Sequence, residues 1–220
     1  QSVALSTVGG WVACRSAGQL SNRYGKIEDL VVGLDVVLAD GTVVHTGGAP
    51  RAAVGPDLTQ LFVGSEGTLG VITGARLALR PVPPAERRAA YAAPSFAAGL
   101  DLCRRALRRG ATPAVLRLYD EVESKRNYAT ADGQNVVMVL DEGDERIVDA
   151  TMAIVDEEAT GPGGVGAERL DEALVGQWLS HRNDVSALER YISGGLVVDT
   201  MEISGPWAAL PGIYDATCAA

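Results

Sequence analysis

Aromatic residues are scarce in this chain, at 5% of 220 residues, and it holds only three cysteines and two histidines. Cys14, Cys103 and Cys218 lie far apart and form no Cys-x-x-Cys pair, so neither a zinc site nor a disulfide framework is indicated. Reduced thiols in a cytoplasmic protein are the simplest reading, and no metal is expected. No run of about 18 apolar residues is present, so no membrane-spanning helix is predicted. The N-terminus lacks the positive region and apolar stretch of a signal peptide, and no Asn-x-Ser/Thr sequon occurs. Gln1 to Thr7 reads instead as a segment entered in mid-fold. Basic residues are outnumbered, 19 against 28 acidic, giving a net charge of −9. That balance argues against a nucleic-acid backbone as the main partner. The local cluster Arg104, Arg105, Arg108 and Arg109 is expected to be a solvated helix face, and the acidic stretch from Asp141 to Glu158 likewise.

What is present is an ordinary globular composition, 47% hydrophobic and 21% charged. Pro81-Val82-Pro83-Pro84 cannot continue either a helix or a strand, which places a domain boundary between residues 1–83 and 84–220. Before it, the valine-rich run Leu30 to Leu38 is followed by Asp40-Gly41 and Thr42-Val43-Val44. This predicts a hairpin with a type I′ turn. Pro56 and Asp57 open a short helix with Leu58, Leu61 and Phe62 as its apolar stripe, ended by Gly64. Leu69 to Arg80 alternates as a strand. After the prolines, Ser95 reads as the N-cap of a helix whose buried face is Phe96, Leu100, Cys103 and Leu107, ended by Gly110. Val115 to Tyr119 and Val136 to Leu140 are expected as buried strands. Ile147, Met152, Ile154 and Val155 mark an amphipathic helix, and Leu170 to Ile192 a long one broken near Asn183. Val197 to Ile203 alternates as a strand, and Pro206 is placed at the start of a last helix. The whole is an α+β pattern.

Two glycine-rich stretches stand out. In Gly64-Ser65-Glu66-Gly67-Thr68-Leu69-Gly70 the glycines follow a helix and open a strand, the reverse of a dinucleotide-binding fingerprint, and no P-loop pattern is present. Thr7-Val8-Gly9-Gly10-Trp11 lets backbone N–H groups approach a ligand closely. Taken singly, either is equally a tight turn. His45 is expected at the surface.

In combination they carry more. Thr7-Val8-Gly9-Gly10, Tyr24-Gly25-x-x-x-Asp29, the Asp40-Gly41 hairpin and Gly64 to Ile72 resemble, in order and separation, the FAD-linked oxidases of the vanillyl-alcohol oxidase type. Gly10-Trp11-Val12, Arg15 to Gly18, Tyr24 to Val31 and Gly55-Pro56-Asp57 resemble alkyldihydroxyacetonephosphate synthases. Leu58 to Gly64 is similar also to the FAD-dependent D-lactate and glycolate dehydrogenases. The resemblance implies the second half of an FAD-binding domain (PCMH type) followed by an α/β-sandwich, ferredoxin-like cap domain. It implies FAD contacts from Ser6 and Thr7, from Gly9 and Gly10, from Cys14, Arg15, Ser16 and Ala17, and from Glu66, Gly67, Thr68, Leu69, Gly70, Val71 and Ile72. Arg182 is implied as a substrate contact. The implied substrate is a small molecule, an acyl-glycerone phosphate or a D-2-hydroxy acid, and a homodimer is compatible. A synthase would be a transferase, using the flavin as a covalent anchor to exchange acyl for alkyl. A dehydrogenase would take a hydride from a D-2-hydroxy acid. The family's own pyrophosphate loop, His-rich loop and flavin-facing tyrosine match nothing in this chain, so no catalytic residue is assigned and the 220 residues alone are expected to be inactive. The reading from another class is a non-catalytic folded module.

Overall fold

Branched residues at 31–37 cannot pack comfortably in a helix but suit a pleated strand, and in the computed structural model they form the centre of a first sheet. The structure describes residues 6–48, 53–184, 186–198 and 201–219. The first sheet is β2-β1-β3, all antiparallel, from β1 (Val31–Val37), β2 (Val43–His45) and β3 (Val71–Leu77). Short helices α1 (Val8–Ala13), α2 (Ser21–Tyr24), α3 (Ile27–Leu30) and α4 (Thr59–Phe62) surround it. Val12, Ile27, Leu34, Val36 and Phe62 form its core.

The expected hairpin is present, but its turn is not type I′. Of Asp40 and Gly41 only Gly41 has a positive φ, at 85°. Gly41 N–H donates to the Leu38 carbonyl and Leu38 N–H to that of Thr42, which closes a three-residue loop. The stripe expected for α4 is also rotated: Leu58 and Leu61 are exposed, while Thr59 and Phe62 are buried. Asp57 accepts from Thr59 N–H, a local turn that leads the chain into the helix.

Beyond the prolines lies a second antiparallel sheet, β5-β6-β4-β7. Its strands are β4 (Ala85–Ala93), β5 (Val115–Leu118), β6 (Asn135–Gly143) and β7 (Glu168–Leu170). Between them run α5 (Phe96–Arg108), α6 (Glu121–Tyr128) and α7 (Glu145–Thr160). Numbered within this half the strand order is 2-3-1-4, which is the ferredoxin-like arrangement. Both faces of the sheet are covered. Ala89, Tyr91, Val137 and Val139 face α5 and α7, whereas Ala90, Val136, Met138 and Leu140 face α8 (Ala173–His181). Leu20, from the first half of the chain, packs into this second face.

Helix α5 begins as expected, with Ser95 Oγ accepting from Ala98 N–H. Its buried face is Gly99, Leu102, Cys103 and Ala106, not the row of larger side chains, since Phe96, Leu100 and Leu107 are only partly buried. Small residues let the helix lie close to the sheet: a Cβ at Gly99 would come within 2.5 Å of Leu118 Cδ1. Leu102→Ala is therefore expected to cost about 2–5 kcal/mol in urea denaturation. Leu100→Ala should cost clearly less, and the reverse order would refute this orientation. In α7 Ile147 is exposed, and Val148, Thr151 and Val155 take the inward positions.

The arginine cluster is not merely solvated. Arg105 and Arg109 both reach across to Glu158, which is 7% exposed, and Arg109 also pairs with Glu157. Arg109, opposing the cost of burial, holds the Glu158 carboxyl below its ordinary value, with Arg105 assisting. This contribution to stability is present above the ordinary carboxylate range and fades as pH falls through the lowered value. The acidic stretch differs in the same way, since Asp141 is fully buried.

The predicted long helix is broken as expected, into α8 and α9 (Ser186–Ser193), with Leu170 in β7 instead. Residues 197, 198 and 201–203 form no strand, and residues 199 and 200 of that expected strand lie outside the described residues. The last helix, α10 (Leu210–Ala219), starts after a turn closed by Ala209 N–H to the Pro206 carbonyl, so Pro206 precedes it. No helix among the described residues is long and apolar enough to cross a membrane.

Candidate functional site

Two loops of the first half lie side by side. Thr7 caps α1 by accepting from Gly10 N–H at 3.0 Å. At the other end of α1, the carbonyls of Val12 and Ala13 accept from Gly64 and Glu66 N–H at 2.9 and 3.0 Å. The segments 7–17 and 64–72 are thereby clamped together, although about fifty residues separate them in sequence. Four residues of the second loop have positive φ: Gly64, Glu66, Gly67 and Gly70. Gly70 has no alternative, because a Cβ there would lie 2.7 Å from the Val37 carbonyl oxygen. Glu66 and Arg15 are non-glycine residues in the left-handed region, at φ 50° and 51°, one in each of the clamped segments. Such strain persists only where neighbours enforce it and concentrates at binding sites.

The Tyr24-Gly25-x-x-x-Asp29 motif has a local explanation. Gly25 has φ 80°, and a Cβ there would fall 2.6 Å from that of Asp29. Asp29 in turn accepts from Lys26 N–H and caps α3. The motif shapes one wall of a cleft of about 410 Å³ that Trp11, Ser16, Ala17 and Gln19 also line. Gly9 and Ile72 meet in a second cleft, of about 370 Å³, between α1 and β3. Cys14 is exposed, and so are Glu66, Gly67, Thr68, Leu69 and Val71. A Cβ at Gly67 would meet no atom within 4 Å, so a flat group can approach the backbone there. Gln1 to Leu5 lie outside the described residues; Ser6 leads into the Thr7 cap.

Arg182 lines neither of these two clefts. It ends α8 and lines a third cleft, of about 450 Å³, at the seam between the two sheets. Arg117, which the sequence reading left inside a buried strand, points into the same cleft from β5. Both guanidinium carbons stack on Trp178, 5.4 Å from the ring centre for Arg117 and 5.6 Å for Arg182. Among the described residues no carboxylate pairs with either arginine, and Arg126 alongside is held by Glu123. Tyr119 and Tyr128 meet edge-on at 5.3 Å in the wall. Burial, then the Tyr119 contact, pushes the Tyr128 hydroxyl up, so it remains protonated. His45 is at the surface, against Asp35 at 2.7 Å.

The seam is fastened by α2. Arg23 Nη2 donates to Asp141 Oδ2 at 2.6 Å, Tyr24 OH to Glu142 at 2.6 Å, and Asn22 to the Pro113 carbonyl at 2.6 Å. Burial, followed by the bond to Glu142, pushes the Tyr24 hydroxyl up to about 12.

Comparison with known proteins assigns the class. A family profile described as FAD linked oxidases, C-terminal domain, matches residues 82–220, and one described as FAD binding domain matches residues 1–47. The chain belongs to the FAD-linked oxidase family, and FAD is the cofactor of that family. Among individual relatives, it is 36% identical over 223 residues to an uncharacterized FAD-linked oxidoreductase, YgcU, of Escherichia coli O157:H7, covering 98% of this chain and 46% of that protein. It is 42% identical over 117 residues to a probable mitochondrial D-lactate dehydrogenase of Danio rerio, covering 51% of this chain and 24% of the other. Among solved structures, an alkyldihydroxyacetonephosphate synthase superposes with a TM-score of 0.75 at 25% identity, over 96% of this chain and 44% of that one. The chain thus spans about half the length of the Escherichia coli relatives that it matches almost throughout.

Proposed function

We propose that the protein is an FAD-dependent enzyme in which the clamped loops form one wall of the cofactor site and the seam cleft receives an anionic small molecule. The observation that carries the reading is the pair of guanidinium groups, Arg117 and Arg182, stacked on one indole and unpaired with any described carboxylate. Both guanidinium groups line one cleft, and a carboxylate or phosphate bound there would gain charge-assisted hydrogen bonds from cations that no described carboxylate neutralises. Bound FAD would supply the redox-active flavin ring. From this chain, Thr7, Gly9, Gly10, Ser16, Ala17 and Glu66 to Ile72 would hold it, through closely approaching backbone and the left-handed turns at Arg15 and Glu66. The domain boundary is placed at Pro81–Pro84, supported by a separate core for each sheet.

Between the two activities, the synthase-like reading is favoured by the structural match over nearly the whole chain. A D-2-hydroxy-acid dehydrogenase is the second reading, favoured by the likeness to a D-lactate dehydrogenase. The test is to mix FAD-loaded protein anaerobically with D-lactate or glycolate: bleaching of the flavin band identifies the dehydrogenase. Exchange of an acyl for an alkyl group on a glycerone phosphate, without bleaching, identifies the synthase. Because the 220 residues are expected to bind FAD weakly and to turn nothing over, a non-catalytic module is identified by the absence of flavin uptake even at millimolar FAD.

The 220-residue chain alone is expected to bind FAD more weakly than micromolar. It offers one wall of the site, and each charge-assisted hydrogen bond missing from the other costs roughly 1.5–3 kcal/mol. A micromolar or tighter dissociation constant in a fluorescence titration would contradict this.

A further inference from the structure

Gln19 belongs to neither FAD loop nor arginine pair, yet it lines both the cleft beside Ser16 and Ala17 and the cleft of Arg117 and Arg182. Its side chain crosses the seam, with Nε2 donating to the main-chain carbonyl of Arg182 at 3.4 Å, near the long limit of a hydrogen bond. This contact orients the amide: a carbonyl only accepts, so the nitrogen must face Arg182. Oε1 is left buried without a hydrogen-bond partner. Native proteins rarely bury an amide oxygen without giving it a donor.

The loop around Gln19 is held on both sides. Gly18 N–H donates to Ser21 Oγ at 2.8 Å, and Leu20 is packed into the core of the second sheet. The main chain is therefore fixed at the junction of the two clefts, while the side-chain amide rests on one long bond. Gln19 lines the arginine cleft, and Oε1 is the atom of its amide that has no partner. The arginines supply donors to an anion, and a hydroxyl beside the anionic group needs an acceptor, which they cannot be. Oε1 is an acceptor lacking a donor at the edge of the same cleft.

We infer that Gln19 is a specificity-determining residue: its Oε1 accepts a hydrogen bond from a hydroxyl of a substrate whose carboxylate or phosphate sits on Arg117 and Arg182. This rests on the anion reading of the cleft given above and adds the requirement for a hydroxyl, which a 2-hydroxy acid carries and an acyl-glycerone phosphate does not, so it sides with the second of the two activities. An anion without one leaves Oε1 unpaired, and the same anion bearing one satisfies it.

Matched pairs of small anions test it: glycolate against acetate, and sn-glycerol 3-phosphate against inorganic phosphate. Binding to the purified protein is followed by NMR at the Trp178 indole and at the Gln19 side-chain amide. The wild type is expected to favour the hydroxyl-bearing member of one pair by about three- to tenfold, the size of one net hydrogen bond. The pair that shows the preference distinguishes a carboxylate from a phosphate substrate. Gln19→Met, similar in shape but without the amide, should bind acetate or phosphate as before and lose the preference. In the wild type alone, the Gln19 amide signals should move with the hydroxyl-bearing anion and not with its partner. An unmoved amide, or the same preference in both proteins, overturns the Gln19 assignment and leaves the anion cleft standing. Absence of any anion binding by the wild type overturns both.

Discussion

Arg23→Ala is expected to lower the unfolding free energy by about 3–5 kcal/mol, the cost of leaving a buried carboxylate without its partner. The carboxylate is Asp141, whose side chain is fully buried and bonded to Arg23 at 2.6 Å and to Ala114 N–H at 3.1 Å. The backbone bond alone cannot neutralise the charge. Arg23 is 20% exposed, so water can enter the vacated space and bring the cost toward the lower end of the range. The pair of changes Arg23→Met and Asp141→Leu should recover only part of the loss, because an apolar pair avoids desolvating two charges but leaves Ala114 N–H without its acceptor. Urea denaturation of the two variants beside the parent protein decides the matter. A loss below about 1 kcal/mol in Arg23→Ala would show that the ion pair does not fasten the seam.

Replacing Arg117 or Arg182 by alanine should weaken anion binding about 10- to 100-fold each, from the loss of charge-assisted hydrogen bonds worth roughly 1.5–3 kcal/mol. In the active protein the same fall is expected in kcat/KM for the anionic substrate. Lysine should restore less than half of the free energy at either position, since it lacks the planar face that lies on Trp178 and the paired donors. The two effects should not add, because both arginines would contact the same bound anion. Changes below threefold in both variants would remove the cleft from the reading of function.

The legible parts of the fold were those written locally. The hairpin was readable because its turn lies within a few residues of sequence, and even there the three-residue loop differed from the expected two-residue one. The glycine-rich loop was readable because positive φ at Gly64, Gly67 and Gly70, and close backbone approach at Gly70, leave glycine as the fitting residue. Strand β4 was invisible. Ala85 to Ala93 is alanine-rich, which propensity reads as anything but a strand, and only the need for small side chains beneath two helix layers makes it central. The facing of α5 failed for the same reason, since Gly99 and Ala106 pack closely where counting large apolar residues looks past them. Arg117 left one trace, a charged residue inside the apolar run Val115 to Tyr119. Its meaning depends on Arg182, which is brought to it only by the fold. Nothing local marks Gln19, whose importance arises from which two clefts it separates.

Leu20, before the proline link, fills the second face of the sheet that lies after it. A chimaera that crosses over at Pro81–Pro84 would therefore exchange a sheet without the side chain that completes it. Recombination between relatives should succeed more often when residues 18–24 travel with the later half, although they are encoded some sixty residues upstream. The unit inherited together is thus discontinuous along the chain, and substitutions at Leu20, Asn22 and Arg23 should be matched by substitutions around Pro113 and Asp141.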